Sequence, residues 1–342
     1  MGKKARLIYN PVAGRELLKD NLADLLDIYE KAGFETSAFR TTTEPLSAQK
    51  EAKRAAEDGF DLIIAAGGDG TVNEVVAGIS PLPERPVVAV VPGGTSNDYA
   101  HALGISRTNI LEAARCIYKE QTIPMDIGYA KSPKGKRTFV NIAAMGTLTE
   151  LSYRVSSELK TIFGYLAYFA KGAELLPEAR NSDVVRITYD DGVYEGEASL
   201  IFVTLTETFG GLNYVAPDSI PGDGNFTLIV LKTNNVVRIA NLFFKILSNG
   251  QHVGEKDIIY TKTSHIKVES LDEEPIKVNL DGELGSMTPV EFINLQQHIE
   301  FVADVDNMAS QLEKGNENSE HLEDFKKEFF NQIEEYEEEK GD

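Results

Sequence analysis

Phe60-Asp61-Leu62-Ile63-Ile64-Ala65-Ala66-Gly67-Gly68-Asp69-Gly70-Thr71-Val72-Asn73-Glu74 is the stretch on which the fold turns. It opens as a short apolar run with β-branched residues, the pattern of a buried strand. The run stops at Gly67-Gly68, and one acidic side chain, Asp69, follows. Thr71 has Glu74 three places on, the spacing of a capping box that opens a helix. Strand, glycine turn and helix start together have the geometry of a phosphate site. Glycines let main-chain N–H groups come close, and a helix N-terminus favours an anion. Asp69 stands where bare phosphate would repel a carboxylate; a divalent cation between them, or a part for Asp69 in proton transfer, resolves that conflict. Such glycines, taken alone, can also do no more than make a tight turn. There is no Walker lysine, and Asn73 stands where a dinucleotide fingerprint has its third glycine. Any phosphate binding here would rest on backbone and metal rather than on a lysine.

Upstream, Ala5 to Pro11 reads as a first strand, with turn chemistry at Asn10-Pro11-Val12-Ala13-Gly14. Leu17 to Lys31 has helical apolar spacing, Phe34 to Arg40 is a second strand with Thr41 at its end, and Ser47 to Glu57 is a second helix. Downstream, Val87 to Val91 is a fourth strand. It runs into a second glycine turn, Pro92-Gly93-Gly94-Thr95-Ser96-Asn97-Asp98, and a helix over roughly Ser96 to Leu103. Strands alternating with helices argue for a parallel α/β sheet, whose ligand crevice lies at the carboxyl ends of the strands. Asn10, Thr41, Asp69 and Thr95 all fall at such ends, so four polar turns are expected to converge.

The pattern changes near Thr122. Asp126-Ile127-Gly128 follows, Arg137 to Ala144 reads as one strand, and a helical stretch spans about 148–176. Short β-rich runs then dominate, with an Asp190-Asp191-Gly192 hairpin turn and a helical interruption over Val236 to Leu247. The expected fold class is therefore α/β with two domains: a nucleotide-binding parallel α/β domain and a β-sandwich with an inserted helix. The last strand-like run, Ile299 to Val302, can pair in either.

A chain of 342 residues, 42% hydrophobic and 26% charged, suits two globular domains. Its one cysteine, Cys116, excludes an intrachain disulfide framework and reads as a small buried residue in a helix over 109–119. The first residues run straight into a strand and no long uncharged apolar run follows, so a cytoplasmic location is expected. Half of the net charge of −20 sits in Asp304 to Asp342, with 14 acidic and 4 basic residues. That composition suits a solvated tail, and an acidic chain without a basic stripe is a poor nucleic-acid binder.

Two further turns carry carboxylates. Pro217-Asp218-Ser219-Ile220-Pro221-Gly222-Asp223-Gly224-Asn225 can offer Asp223 and flanking carbonyls to a hard cation, or be a plain Asp-Gly turn. Asn279-Leu280-Asp281-Gly282-Glu283 presents two acids, either of which can serve as a general base or be simply solvated. The five histidines form no His-Glu-x-x-His pair, and no serine sits in a Gly-x-Ser-x-Gly elbow. Acid/base chemistry falls to carboxylates and a metal.

The ordered set of Asn10-Pro11 with Gly14, Gly67 through Glu74, Pro92 through Asp98, Asp126-Ile127-Gly128, Phe139-Val140-Asn141, Pro217-Asp218, Asp223-Gly224 and Asp281-Gly282-Glu283 resembles the bacterial soluble diacylglycerol kinases. That lipid-kinase superfamily also includes sphingosine and ceramide kinases, and the resemblance covers about Lys4 to Ala303. It implies ATP, as co-substrate, in the cleft between the domains, with Mg²⁺ as the metal. Nucleotide contacts would fall to Asn10, Pro11, Val12, Ala13 and Gly14, to Thr41, to Gly68, Asp69, Gly70, Thr71, Val72, Asn73 and Glu74, and to Thr95. Glu283 would be the base for the lipid hydroxyl, with Asp69 the rival for that role. Asp223 would hold Mg²⁺ with the carbonyls of Ile220 and Asn225. Residues 1–122 with about 295–305 would form the first domain, 123–294 the second, and 306–342 an acidic tail. His101 departs from the pattern, which often has arginine there.

The leading reading is a kinase making phosphatidic acid from diacylglycerol at the inner face of the membrane. An NAD kinase-like enzyme and a non-catalytic lipid- or nucleotide-binding protein are the alternatives. Leu159 to Leu176, with Lys160, Lys171, Phe163, Tyr165, Tyr168 and Phe169, and Arg15 with Lys19, are candidates for a face that docks on anionic lipid. The same aromatics can instead pack in a core. Oligomeric state stays open, a homodimer included.

Overall fold

A computed structural model of the chain describes residues 2–146, 149, 182–209, 215–235, 238–239, 241–242, 245 and 252–313. The helix expected over 148–176, with its lipid-docking face, lies outside the described residues but for Thr149, as do most of the interruption at 236–247, the side chain of Arg15 and the tail beyond residue 313.

The first half alternates as expected. Strands β1 (Lys3–Tyr9), β2 (Phe34–Arg40), β3 (Leu62–Gly67) and β4 (Val87–Pro92) lie parallel in the order β2-β1-β3-β4. β3 is buried along its whole length, which is why its sequence is a continuous apolar run rather than an alternation. The register sets Tyr9 beside Ala66 and Gly67 beside Pro92, so the three strands end level and their turns meet. Helices α1 (Leu17–Asp20), α2 (Leu22–Lys31), α3 (Ser47–Glu57), α4 (Asp69–Ile79), α5 (Asp98–Ala102) and α6 (Ile110–Arg115) pack around this sheet. The single helix expected over 17–31 is divided at Asn21, whose side-chain amide donates to the Leu17 carbonyl.

β5 (Thr122–Ser132) and β6 (Gly135–Phe139) continue the same sheet. β7 (Ile142–Met145) belongs to another. Arg137 to Ala144, expected as one strand, is thus two strands in two sheets. The chain breaks at Val140-Asn141, where the main-chain N–H groups turn aside to the Asp281 carboxylate. β8 (Asp183–Tyr189) and β9 (Gly192–Ala198) form a hairpin across Asp190-Asp191, and β10 (Leu200–Thr204), β11 (Phe226–Leu231) and β12 (Ile258–Thr263) follow. Next come β13 (His265–Ser270), β14 (Lys277–Leu280), β15 (Glu283–Met287) and β16 (Val290–Val302). The antiparallel sheet β12-β11-β10-β7-β14-β15 faces β8, β13 and the first part of β16 across a second core. Phe139 lies between the layers, stacked on Phe226 at 5.7 Å and edge-on to Phe292 at 5.9 Å.

β16 is longer than the run expected at Ile299 to Val302. Its first part pairs with β13 and its end lies parallel to β4 at Phe301, so one strand serves both the sandwich and the parallel sheet. An irregularity between Leu295 and Ile299, with Gln297 at φ 49°, lets it change direction. Beyond it, α7 (Val305–Glu313) packs Met308 against the first core.

Candidate active site

The two glycine turns lie backbone against backbone. A β-carbon on Gly94 would stand 2.7 Å from the Gly68 Cα, and one on Gly93 would meet Leu18 at 2.7 Å and Gly67 at 3.3 Å. Gly14 approaches the Gly93 carbonyl, and the main-chain N–H of Gly93 donates to Gly67. These glycines are therefore fixed by turn-on-turn packing. Gly70 is different: in the first turn of α4, nothing lies within 4 Å of a β-carbon built there. Gly70→Ala should leave the fold intact or stabilise it by about 0.5–1 kcal/mol, since alanine is the better helix former. If phosphate sits on that turn, the added methyl intrudes on it, and nucleotide affinity measured by calorimetry falls while the melting temperature does not. Unchanged affinity would place the phosphates elsewhere.

Around these turns, Asn10 caps its own loop by accepting from the Val12 N–H, and the Thr41 N–H donates to Tyr9. Thr95 is exposed in the second turn. The structure thus brings Asn10–Gly14, Thr41, Gly68–Thr71 and Thr95 to one end of the sheet. Val12 is exposed and Ala13 packs on the core.

Two side chains of the α4 segment are engaged elsewhere, and the capping box is not formed. α4 starts at Asp69 with Gly68 as its cap, and Glu74 instead accepts from the main-chain N–H groups of Ala48 and Gln49, at 2.9 and 3.4 Å. It caps the neighbouring helix α3, whose start has no side-chain cap of its own. Asn73 donates across to Asp281, and Val72 is buried in the core.

Asp69 accepts from the Tyr99 N–H at 3.1 Å through one carboxylate oxygen. That bond ties the first glycine turn to the helix after the second. The second turn is held by Asn97, which accepts from Gly94 N–H and donates to the carbonyls of Gly94 and Arg107. Arg107 stands 3.7 Å from Asp98. Burial and the Arg107 charge push the His101 imidazole down to about 4. The histidine at the departing position is therefore neutral near pH 7.

Asp281 is a clamp. Its carboxylate accepts the main-chain N–H groups of Val140 at 2.7 Å and of Asn141 and Ile142 at 2.9 Å, together with the Asn73 amide. Burial pushes its carboxyl up, and those donors pull the other way. With its lone pairs so committed, Asp281 cannot also receive a substrate proton, which leaves Glu283 of that turn. Glu283 is exposed and its side chain has no partner among the described residues. The clamp joins its turn to α4, next to the first glycine turn.

The Asp223 turn does not fit a bound cation as it stands. One carboxylate oxygen of Asp223 pairs with the Lys262 ammonium at 2.9 Å, and the other accepts the Asn225 N–H at 2.8 Å. The Ile220 carbonyl accepts the Asp223 N–H. The described residues hold no cluster of three or more acidic, histidine or cysteine groups that could ligate a metal. A Mg²⁺ would have to displace a lysine that already neutralises the carboxylate.

Sequence reading missed three residues here. Asp126 is buried and accepts from Gly224 N–H and Gln297 N–H, both at 2.7 Å, binding the Asp223 turn to the irregularity in β16. Its Asp-Ile-Gly context marked it without giving a role. Lys262 lies on β12 with no local signal, and Arg107 lies in a loop without periodicity.

A separate groove of about 870 Å³ opens at the amino ends of the parallel strands, beside Lys3, Phe34, Phe60, Arg85 and Tyr118, away from the glycine turns.

A diacylglycerol kinase catalytic domain profile matches residues 4–130, and the YegS C-terminal NAD kinase beta sandwich-like domain matches residues 150–303. The chain is 48% identical over 303 residues to a diacylglycerol kinase of Bacillus subtilis (strain 168), covering 88% of this chain and 96% of that one. It is 43% identical over 300 residues to one of Staphylococcus carnosus (strain TM300), covering 88% and 95%. A crystal structure of a diacylglycerol kinase from Bacillus anthracis str. Sterne superposes with a TM-score of 0.68 at 30% identity, covering 89% of this chain and 97% of that one.

Proposed function

The chain belongs to the diacylglycerol kinase family, and from that premise we propose that it transfers the γ-phosphoryl group of ATP to the free hydroxyl of diacylglycerol, giving phosphatidic acid. One observation carries the reading: the clamp from Asp281 to Asn73 sets the Glu283 turn beside the helix that begins at Asp69. In this reading a phosphate site at the start of α4 and the exposed Glu283 carboxylate serve one reaction.

Phosphoryl transfer asks little covalent chemistry of a protein and much positioning. The N–H groups of the glycine turns and the start of α4 hold the phosphates. Glu283 orients the lipid hydroxyl and takes its proton as the new P–O bond forms. Asp69, one oxygen of which accepts the Tyr99 N–H, would hold the Mg²⁺ that accompanies the triphosphate. When bound, that ion neutralises phosphoryl charge. No step is assigned to a metal at Asp223.

The acceptor is a membrane lipid, so a cytoplasmic enzyme must meet it at the inner face of the bilayer, in peripheral contact with anionic lipid. No helix among the described residues is long and apolar enough to cross a membrane. The test is purified protein with labelled ATP and a panel of lipids in mixed micelles, the products then being identified. Label in phosphatidic acid is expected. Label moving to NAD instead, or to no acceptor, would overturn the reading.

A further inference from the structure

Strand β12 holds one loop at two points. Tyr260 and Lys262 are two places apart on it and so share a face. The Tyr260 hydroxyl donates to the Asp218 carboxylate, and the Lys262 ammonium donates to a carboxylate oxygen of Asp223 at 2.9 Å. Both acids belong to the loop that leads into β11. The side chains of the Lys262–Asp223 pair are largely covered. On its other flank the same loop lies against the strands that link the two halves of the molecule. A β-carbon on Gly222 would stand 2.8 Å from the Pro124 carbonyl of β5. The Gly222 carbonyl accepts the side-chain amides of Gln296 and Gln297, at 3.3 and 3.2 Å, where β16 changes direction.

A divalent cation at Asp223 would need oxygen ligands from this loop. Mg²⁺ demands near-octahedral ligands at about 2.0–2.1 Å and gives up its water reluctantly. Asp223 spends one carboxylate oxygen on the Asn225 N–H and the other on Lys262. Its carbonyl accepts the Asn225 amide at 3.2 Å, and the Ile220 carbonyl accepts the Asp223 N–H. The second carboxylate on the loop, Asp126, accepts main-chain N–H groups through both of its oxygens. An ion beside Asp223 would therefore share that carboxylate with an ammonium, and like charges so close repel. An ammonium is itself a compact point charge, and this one is carried by the chain. We propose that Lys262 is the resident cation of the Asp223 turn, standing where a bound divalent metal would otherwise neutralise the carboxylate, so that the contact between the sandwich and β16 forms without metal. This goes beyond the proposed reaction, whose Mg²⁺ arrives with the nucleotide.

Thermal melting of the full chain, in EDTA and in excess MgCl₂, tests this without nucleotide or lipid. The parent and Asp223→Asn should respond to Mg²⁺ alike, within about 1 °C. Lys262→Met removes the charge and keeps most of the stem. In EDTA it should melt roughly 2–4 °C below the parent, as for one lost charged contact. Excess Mg²⁺ should restore about half of that loss or more, because the freed carboxylate then takes the ion. Lys262→Met combined with Asp223→Asn should show no such gain. Lys262→Arg keeps the charge and should melt near the parent with no gain from Mg²⁺. A parent stabilised by Mg²⁺ more than Asp223→Asn overturns the proposal, because the ion then sits at Asp223 despite the lysine. So does a Lys262→Met variant that Mg²⁺ raises no more than it raises the parent, since the lysine is then an ordinary ion pair that replaces no metal. If Lys262→Met fails to fold, the comparison of the parent with Asp223→Asn decides. Neither ATP nor diacylglycerol enters the measurement, so its failure is distinct from a failure of the kinase reading.

Discussion

Glu283→Gln is expected to slow lipid phosphorylation by ~100-fold or more, the scale of a lost general base, with ATP affinity and melting temperature close to the parent's. The side chain is exposed and unpartnered among the described residues, so an isosteric amide removes no packing and no bond that holds the fold. Exposed changes of that kind usually stay within about 0.5 kcal/mol. Asp69→Asn makes the useful contrast. It keeps an oxygen for the Tyr99 N–H but withdraws the charge that would meet the metal-bound nucleotide, so turnover and ATP affinity should fall together. Single-turnover rates and calorimetric affinities of the two variants separate proton removal from nucleotide binding. Near-normal turnover in Glu283→Gln would end its assignment as base and leave Asp69 as the candidate.

What was legible in the sequence follows the kind of signal each part carries. β3 announces itself because a strand covered on both faces is apolar throughout, and the glycines after it were read correctly as a turn. They were read as phosphate ligands, however, when several of them are also required by close packing: Gly68 and Gly94 leave each other no room for a side chain, Gly93 is closed off by Leu18 and Ala13, and Gly67 by Thr71 in the first turn of α4. Spacing alone cannot tell these causes apart. The capping box failed for a related reason. Thr71 and Glu74 have the right separation, but Glu74 already lies well inside α4, where its carboxylate reaches the uncapped start of α3. The break at Val140-Asn141 was hidden because local propensity favours one strand. The deciding acceptor, Asp281, is about 140 residues away in the chain. Lys262 escaped for the same reason, since its pairing with Asp223 exists only across two elements.

Loss of the Asp281 side chain should be the most damaging change to the fold among the acids of the cleft. Asp281→Ala leaves the N–H groups of Val140, Asn141 and Ile142 and the Asn73 amide without their acceptor. Each buried donor left unsatisfied costs about 1–3 kcal/mol, so roughly 3–5 kcal/mol in all is expected after relaxation and entry of water. Asp281→Asn is no cure. The amide nitrogen must replace one oxygen, and every group facing that carboxylate is a donor, so one N–H then meets another. Asn73→Ala should cost less, because the three main-chain bonds survive. The two residues nevertheless act as a pair. Urea denaturation of both single variants and the double should give a coupling of about 1.5–3 kcal/mol, the worth of a hydrogen bond to a charged group. Turnover should fall in Asn73→Ala even though Asn73 need touch no substrate, because the bond it makes holds the Glu283 turn against α4. A coupling below about 0.5 kcal/mol, with turnover unchanged in Asn73→Ala, would mean that this bond does not hold the two halves of the site together and that Glu283 is positioned by the sandwich alone.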